Sequence, residues 1–267
     1  MELKDHADGK IRCGRIGPVG HLVINNPERR NALSLNMWRA CAEVLAELSA
    51  DEATRLLIVS GAGGKAFASG ADISRFGDER STAADVETYA AVSSSVYEAI
   101  ESFPKPVIAK IEGYCVGGGL ALAVCCDIRI CGEDSRFALP AARLGLGYGY
   151  AAQKRLADVV GTAYAGEILF TARQFSADEA AGMGLVNRVL PRSELDAYVD
   201  DYAARIAENA PLTVGLAKAG KLAIKKGASA EEIERLNDMA LRCYASDDYT
   251  EGRRAFMEKR KPDFTGK

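Results

Sequence analysis

Histidine is nearly missing from this chain: His6 and His21 are the only two among 267 residues. His6 falls in a polar segment read as a tail and His21 in one read as a strand, so a histidine-dependent triad is not expected. Long apolar runs are missing as well. No segment offers the uninterrupted apolar residues of a spanning helix, and the opening "MELKDHADGKIRCGRIG" lacks the apolar core of a secretion signal. The expectation is a soluble, cytoplasmic protein with no membrane partner. A surplus of either charge is absent too: 34 basic residues against 37 acidic ones leave a net charge of -3, scattered rather than striped. That argues against nucleic acid as a partner and leaves a small or medium-sized ligand. Cysteine is present seven times, but without the paired spacing or the histidines of a zinc site. Cys115, Cys125, Cys126 and Cys131 read as reduced, buried thiols.

What the chain does have is apolar material, 48% of its residues, enough for a sizeable core. Five short β-rich segments are predicted as buried strands: His21 to Asn26, Arg55 to Gly61, Pro106 to Gly113, Asp127 to Gly132 and Gly184 to Leu190. Helical patterns lie between them, notably Leu35 to Leu48, which Ser34 is placed to cap, and Ala84 to Phe103. An α/β protein with crossover helices follows. After Pro191 the pattern is helical almost throughout, broken by Pro211 and Gly227. The division is therefore drawn as an α/β core over 1–192 and a helical part over 193–267, whose apolar faces have two outlets, another subunit or the chain's own core.

Three consecutive glycines, Gly117 to Gly119, stand between two apolar runs in "EGYCVGGGLALAVCCDIRI". Phosphate-binding motifs fail elsewhere: "GAGGKA" (Gly61 to Ala66) lacks P-loop spacing, and "GLGYGY" (Gly145 to Tyr150) lacks the downstream pattern of a dinucleotide fingerprint. Because the triple glycine runs into a helical pattern, its N–H groups are placed to face an anionic oxygen. The loop "GKAFASGADI" (Gly64 to Ile73) also leaves a strand through small residues and supplies a second N–H after Gly70. Two readings stay open: a pair of converging donors forming an oxyanion hole, or glycines that merely allow tight helix-to-sheet packing.

The segments "NNPERRNALS", "GKAFASGADI", "FPKPVIAKIEGYCVGGGLALAVCCDIRI", "FTARQFSADEAAGMGLVNRVL" and "AFMEKRKPDF" together resemble the enoyl-CoA hydratase/isomerase family, the crotonase superfamily, in order over nearly the whole chain. The resemblance implies a spiral of ββα units, a C-terminal helical trimerisation region, a homotrimer or dimer of trimers, and acyl-coenzyme A thioesters as ligands. Coenzyme A enters as part of the substrate, and no metal or redox cofactor is indicated. It assigns the oxyanion-hole amides to Ala71 and Gly118, and the coenzyme A path to Arg30, Ser69, Asp72, Ile73 and Gly117. Lys259 is assigned to the nucleotide phosphates of a neighbouring subunit's ligand, against a plain reading as a solvated terminal lysine.

The resemblance also carries a departure. The two glutamates with which hydratases of this family handle water fall on Ala121 and Ala141, and an aspartate used by some relatives falls on Gly149. Alanine is neither acid nor base, so ordinary hydration is not expected. Asp72 and Asp127 fall at positions that cap or brace loops rather than titrate. Asp78, Glu79 and Glu133 lie in polar stretches from which a substitute carboxylate could swing in. Tyr148 falls where methylmalonyl-CoA decarboxylase relatives place a pocket tyrosine, although those relatives carry a polar residue where this chain has Ala71. Its other reading is an aromatic lining the acyl pocket. Three functions stand: a lyase or isomerase working through a thioester enolate, including hydration rescued by a carboxylate from elsewhere in the chain, a decarboxylase of malonyl-type esters using Tyr148, and a non-catalytic coenzyme A-binding protein.

Overall fold

A computed structural model describes residues 3–267. The chain opens with β1 (Lys4–His6), β2 (Ile11–Ile16) and β3 (Val19–Ile24), an antiparallel meander closed by α1 (Leu35–Ala50). His6 is thus no tail residue; it ends β1 opposite Ile11. Three similar units follow. β4 (Leu56–Gly61) and β5 (Ala66–Ala68) lead through α2 (Phe76–Glu79) to α3 (Ala83–Glu101). β6 (Val107–Ile111) and β7 (Tyr114–Val116) lead to α4 (Gly118–Cys125). β8 (Ile128–Gly132) and β9 (Arg136–Ala138) lead to α5 (Tyr150–Thr171). The last strands are β10 (Phe175–Ser176) and, after α6 (Ala177–Gly182), β11 (Arg188–Leu190).

Each unit places its first strand in one sheet and its second in another. The first sheet runs β1-β2-β3-β4-β6-β8-β11, parallel from β3 onward, and the second runs β10-β9-β7-β5. Burial on both faces of the central strands explains their continuous apolar runs in the sequence. Leu57, Val59, Ala109 and Ile111 face a large core shared with α1, α3 and α4, whereas Leu56, Ile58 and Ile108 face the opposite side. The expected strand at Gly184 to Leu190 is shorter than its apolar run suggests: only Arg188–Leu190 pairs with β8, while Leu185 and Val186 are buried in the preceding turn. The strands β5, β7, β9 and β10 are not foreshadowed in the sequence, because two or three residues carry no visible period.

Ser34 caps α1 by accepting from Met37 N, and Thr82 and Asp85 form a reciprocal capping box at the start of α3. Only helices follow β11: α7 (Arg192–Ala207), α8 (Pro211–Lys226), α9 (Ala230–Tyr244) and α10 (Asp247–Glu258). Their apolar faces are treated differently. α7 lays Leu195, Val199 and Ala203 on the sheet face formed by Leu56, Ile58, Ile108 and Ile130, so it packs on the chain's own core. α9 buries no residue, and Leu241, Tyr244, Phe256 and Met257 of α9 and α10 stand exposed.

Charge ties α8 to the α/β part. The Asp127 carboxylate accepts from Val107 N at 2.8 Å, from Lys218 Nζ at 2.6 and 2.8 Å and from Lys221 Nζ at 2.8 Å. Glu101, at the end of α3, receives Lys225 Nζ at 2.6 Å and Arg155 Nε at 3.2 Å. Burial works against the Glu101 charge, but these two cations win and hold its carboxyl below the ordinary value of 4.5. A carboxylate depressed in the folded state stabilises the fold above its unfolded value and stops doing so as pH falls through the folded one. Glu101→Gln is therefore expected to lower the melting temperature at pH 7. The difference from the native chain should shrink as the pH is taken below 4.5, which calorimetry across pH will measure.

Candidate active site

The parallel pairing of β5 with β7 delivers two loops side by side. The first, Ser69 to Asp72, is held by the segment before α1. Asn31, fully buried, donates from Nδ2 to Ala66 O at 2.7 Å and to Ala62 O at 3.0 Å, and accepts from Asn26 N at 2.9 Å. Ser69 N donates to Arg30 O at 3.0 Å, Leu33 N to Gly70 O at 2.8 Å and Asp72 N to Leu33 O at 3.1 Å. These last two bonds form a parallel bridge between Leu33 and Ala71. In such a bridge the residue's own N–H points away from its partner, so the Ala71 amide faces the other side of the segment.

The second loop enters α4. Gly117 N donates to Ala138 O at 2.8 Å, and Gly117 is the N-cap of the helix with φ 55°. Gly118 is the first helical residue, so its N–H has no acceptor within the helix. The two loops touch. A Cβ on Gly70, whose φ is 97°, would come within 3.1 Å of Val116 O and 3.2 Å of Gly118 N, and one on Gly118 would reach 3.6 Å from Gly70 Cα. Gly119 has a different duty, because a methyl there would collide with the Ala68 carbonyl oxygen. The triple glycine thus divides its work: Gly119 permits tight packing, and Gly118 leaves a bare amide beside Gly70.

Aromatic side chains wall this spot. Trp38 Cζ2 and Tyr97 Oη lie 3.6 and 3.2 Å from the position a Gly118 Cβ would take, and Tyr97 Oη donates to Gly118 O at 3.4 Å. The rings of Trp38 and Tyr97 meet edge to face with centroids 5.3 Å apart. Tyr148 packs half-buried against the same core, and Gln153 Nε2 donates to its carbonyl at 2.6 Å. Burial pushes the Tyr148 hydroxyl up to about 12. Tyr97 is raised well above its ordinary value, first by burial and then by the neighbouring Tyr148 hydroxyl. Both are neutral phenols near pH 7, able to donate a hydrogen bond but not to act as bases.

The other site residues divide. Arg30, at φ 51°, sets its guanidinium 4.9 Å from the Tyr114 ring centre and adjoins the loop of Ser69, Asp72 and Ile73. Asp72 accepts from Ser74 N and Ser74 Oγ, bracing the turn at 73–75, and Ile73 is 63% exposed. Lys259 is apart from these in the chain: it closes α10 in the left-handed region, its N–H on Phe256 O and its side chain exposed. Ala121 lies in α4 one turn beyond Gly117, Ala141 is buried in the short 140–144 helix, and Gly149 is the N-cap of α5. Glu79, one of the carboxylates placed to swing in, is engaged as a cap, accepting from Leu35 N at 2.9 Å and pairing with Arg75 at 3.2 Å. Cys115 is fully buried, and burial raises its thiol well above the ordinary range, so it is no nucleophile. Among the described residues no cluster of three or more His, Cys, Asp or Glu could hold a metal ion.

No motif in the sequence singles out Trp38, Tyr89 and Tyr97. Their one signal is Tyr89, Ser93 and Tyr97 at four-residue spacing along α3, polar groups on a face that Val96 and Ile100 bury.

The chain has close counterparts among known proteins. Residues 16–267 match the sequence family described as Enoyl-CoA hydratase/isomerase. A crotonyl-CoA hydratase of Syntrophomonas wolfei is 36% identical over 249 residues, 92% of this chain and 94% of that protein. A peroxisomal Delta(3,5)-Delta(2,4)-dienoyl-CoA isomerase of Arabidopsis thaliana is 36% identical over 265 residues, 95% of each. A crystal structure described as an enoyl-CoA hydratase/carnithine racemase from Magnetospirillum magneticum superposes with a TM-score of 0.91 at 40% identity, covering 97% of this chain and 96% of that one. The two-sheet α/β fold is that of a family of enzymes. The chain belongs to the enoyl-CoA hydratase/isomerase family.

Gly70 combines two obstacles to a side chain, a left-handed backbone and a tight contact between the two loops. Gly70→Ala combines a left-handed φ with contact on two backbone atoms and is expected to cost about 2 kcal/mol, read as a shift of the urea midpoint. Gly182→Ala, with open space around it, is expected to leave the midpoint in place.

Proposed function

We propose that this chain processes acyl-coenzyme A thioesters by holding the thioester carbonyl between the Ala71 and Gly118 amides and stabilising the enolate that forms there. The observation that supports the reading is the contact of Gly70 with Gly117 and Gly118, which sets the loop carrying Ala71 against the loop carrying Gly118. Negative charge builds on the carbonyl oxygen as the enolate forms, so each donor contributes on the order of 3 kcal/mol to lowering the barrier. Arg30, Ser69, Asp72, Ile73 and Gly117 line the coenzyme A path in this reading, and Lys259 serves a neighbouring copy's ligand. The exposed apolar residues of α9 and α10 supply an interface for a trimer or a dimer of trimers. The reaction needs no cofactor beyond the coenzyme A of the substrate, and the free, mostly buried thiols suit the reducing cytoplasm.

The two relatives named above act on enoyl thioesters by hydration or isomerisation, as their names state. Neither Ala121 nor Ala141 offers a proton acceptor, so hydration is not expected, and an isomerisation through the enolate draws its base from a carboxylate outside these two positions, Asp78 or Glu133. A second reading rests on the neutral Tyr97 and Tyr148 hydroxyls. In a malonyl-type ester the bond to the departing carboxylate breaks, carbon dioxide leaves, and the electron pair enters the enolate held by the two amides. The α-carbon then takes a proton from the Tyr148 hydroxyl, which regains one from water, so the step needs an acid but no base.

The test is mass-spectrometric turnover of crotonyl-CoA, methylmalonyl-CoA and other acyl-CoAs by the purified protein. Isomerisation or decarboxylation without hydration of crotonyl-CoA is the expected result; hydration at an ordinary enzymatic rate would sink the reading of Ala121 and Ala141. Tight binding with no turnover of any ester would make the chain a coenzyme A-binding protein. For an active ester, Tyr148→Phe is expected to lower kcat by about a hundredfold, the scale on which a lost transition-state donor is felt. Since the Tyr148 hydroxyl keeps its proton up to about 12, that contribution stays constant through neutral and mildly alkaline pH. A titration of the effect near pH 7 would exclude Tyr148 as the donor.

A further inference from the structure

We propose that Tyr89 and Trp38 are positioning residues that hold the Ala71 amide in the oxyanion hole, an inference that rests on the reading of that hole given above. Leu33 connects them to the site. Its N–H bonds the carbonyl of the residue before Ala71 and its carbonyl bonds the N–H of the residue after, at 2.8 and 3.1 Å. The direction of the Ala71 amide is therefore set by Leu33. The Leu33 carbonyl has a second donor, Tyr89 Oη at 2.9 Å, and Tyr89 Oη in turn accepts from Trp38 Nε1 at 2.8 Å.

This relay is built rather than incidental. Leu33, Trp38 and Tyr89 are 0%, 1% and 6% exposed, so water does not compete for the bonds. The Arg80 guanidinium lies 3.7 Å over the Tyr89 ring centre and fixes the ring from its face. Burial raises the Tyr89 hydroxyl above its ordinary value, which keeps its proton on the bond to Leu33. The same Trp38 indole approaches the Gly118 position at Cζ2. One side chain thus bears on both donors, through the Tyr89–Leu33 relay for Ala71 and by direct packing for Gly118. Neither Trp38 Nε1 nor Tyr89 Oη has a proton to spare for substrate, because each is committed within the relay. Their action is on the separation and aim of the two amides, and catalysis is sensitive to misplacements of about 1 Å.

The experiment compares the full-length protein with Tyr89→Phe, which keeps the ring and removes the hydroxyl, and with Trp38→Phe, which removes the indole donor. The probe is butyryl-CoA labelled with carbon-13 at the thioester carbonyl, a saturated ester with no double bond to hydrate or shift. Bound to the native protein, its carbonyl infrared band is expected to shift to lower frequency, as a carbonyl held by two donors does. In Tyr89→Phe the shift should shrink, and kcat on the ester found active should fall about tenfold, less than the hundredfold or more that follows outright loss of a donor. KM should stay within about twofold, because ground-state binding is spread over the whole coenzyme A. A folded Tyr89→Phe protein with the native band and native kcat overturns the proposal, even if its melting temperature has dropped, since a purely structural core residue would lower stability and nothing else. Should Tyr89→Phe fail to fold, Trp38→Phe is read by the same band shift and the same kcat, and native values for both overturn the proposal equally. A native protein that binds butyryl-CoA without any band shift refutes the oxyanion hole itself and this proposal with it, whereas a native shift left unchanged in both variants refutes the positioning role alone.

Discussion

Everything in the site depends on two backbone segments lying closer together than side chains allow. Gly70 stands against Val116 O and Gly118 N, and Gly119 against the Ala68 carbonyl. Close-packed interiors have no slack at this scale, so the contact dictates glycine at these positions. It also dictates the second sheet. β5 and β7 are only three residues long, yet their parallel pairing carries the chain into the two loops at one end of one ladder.

Around that contact the structure places bonds of two kinds. Inside, neutral hydrogen bonds from the buried Asn31, Leu33 and Tyr89 fix the segments on which the Ser69 to Asp72 loop rests. Outside, charged side chains join elements distant in the chain: Lys218 and Lys221 meet at Asp127, and Lys225 and Arg155 meet at Glu101. Removing water strengthens the first kind and makes any unpaired member costly, which accounts for the completeness of the relay. The second kind is partly shielded from solvent and anchors α8, which buries only Lys218 and Ala223.

The long central strands and the helices α1 and α3 are legible in the sequence because each carries a period or a continuous apolar run that stands out from its surroundings. The short strands β5, β7 and β9 are not, since three residues hold no period, and their existence is a matter of partners found through the sheet. The Gly184 to Leu190 segment looks like one long strand for a related reason. Leu185 and Val186 are buried by the turn they occupy rather than by a ladder, and burial alone looks the same in a sequence.

The residues alone carry the α/β class and the two glycine-bearing loops, because those rest on residue types that local chemistry demands, and they carry the family through the run of segments that resemble it. They also determined that no carboxylate stands at 121 or 141. Only the tertiary structure decided which glycine allows packing and which bares an amide, because that depends on the atom facing each one. It alone set Trp38 and Tyr89 behind the Leu33 peptide, from helices far apart in the chain. Hydrogen bonds between distant helices leave no periodic trace in the residues that make them. Their partners are fixed by how the two helices pack, and packing is a property of the folded chain.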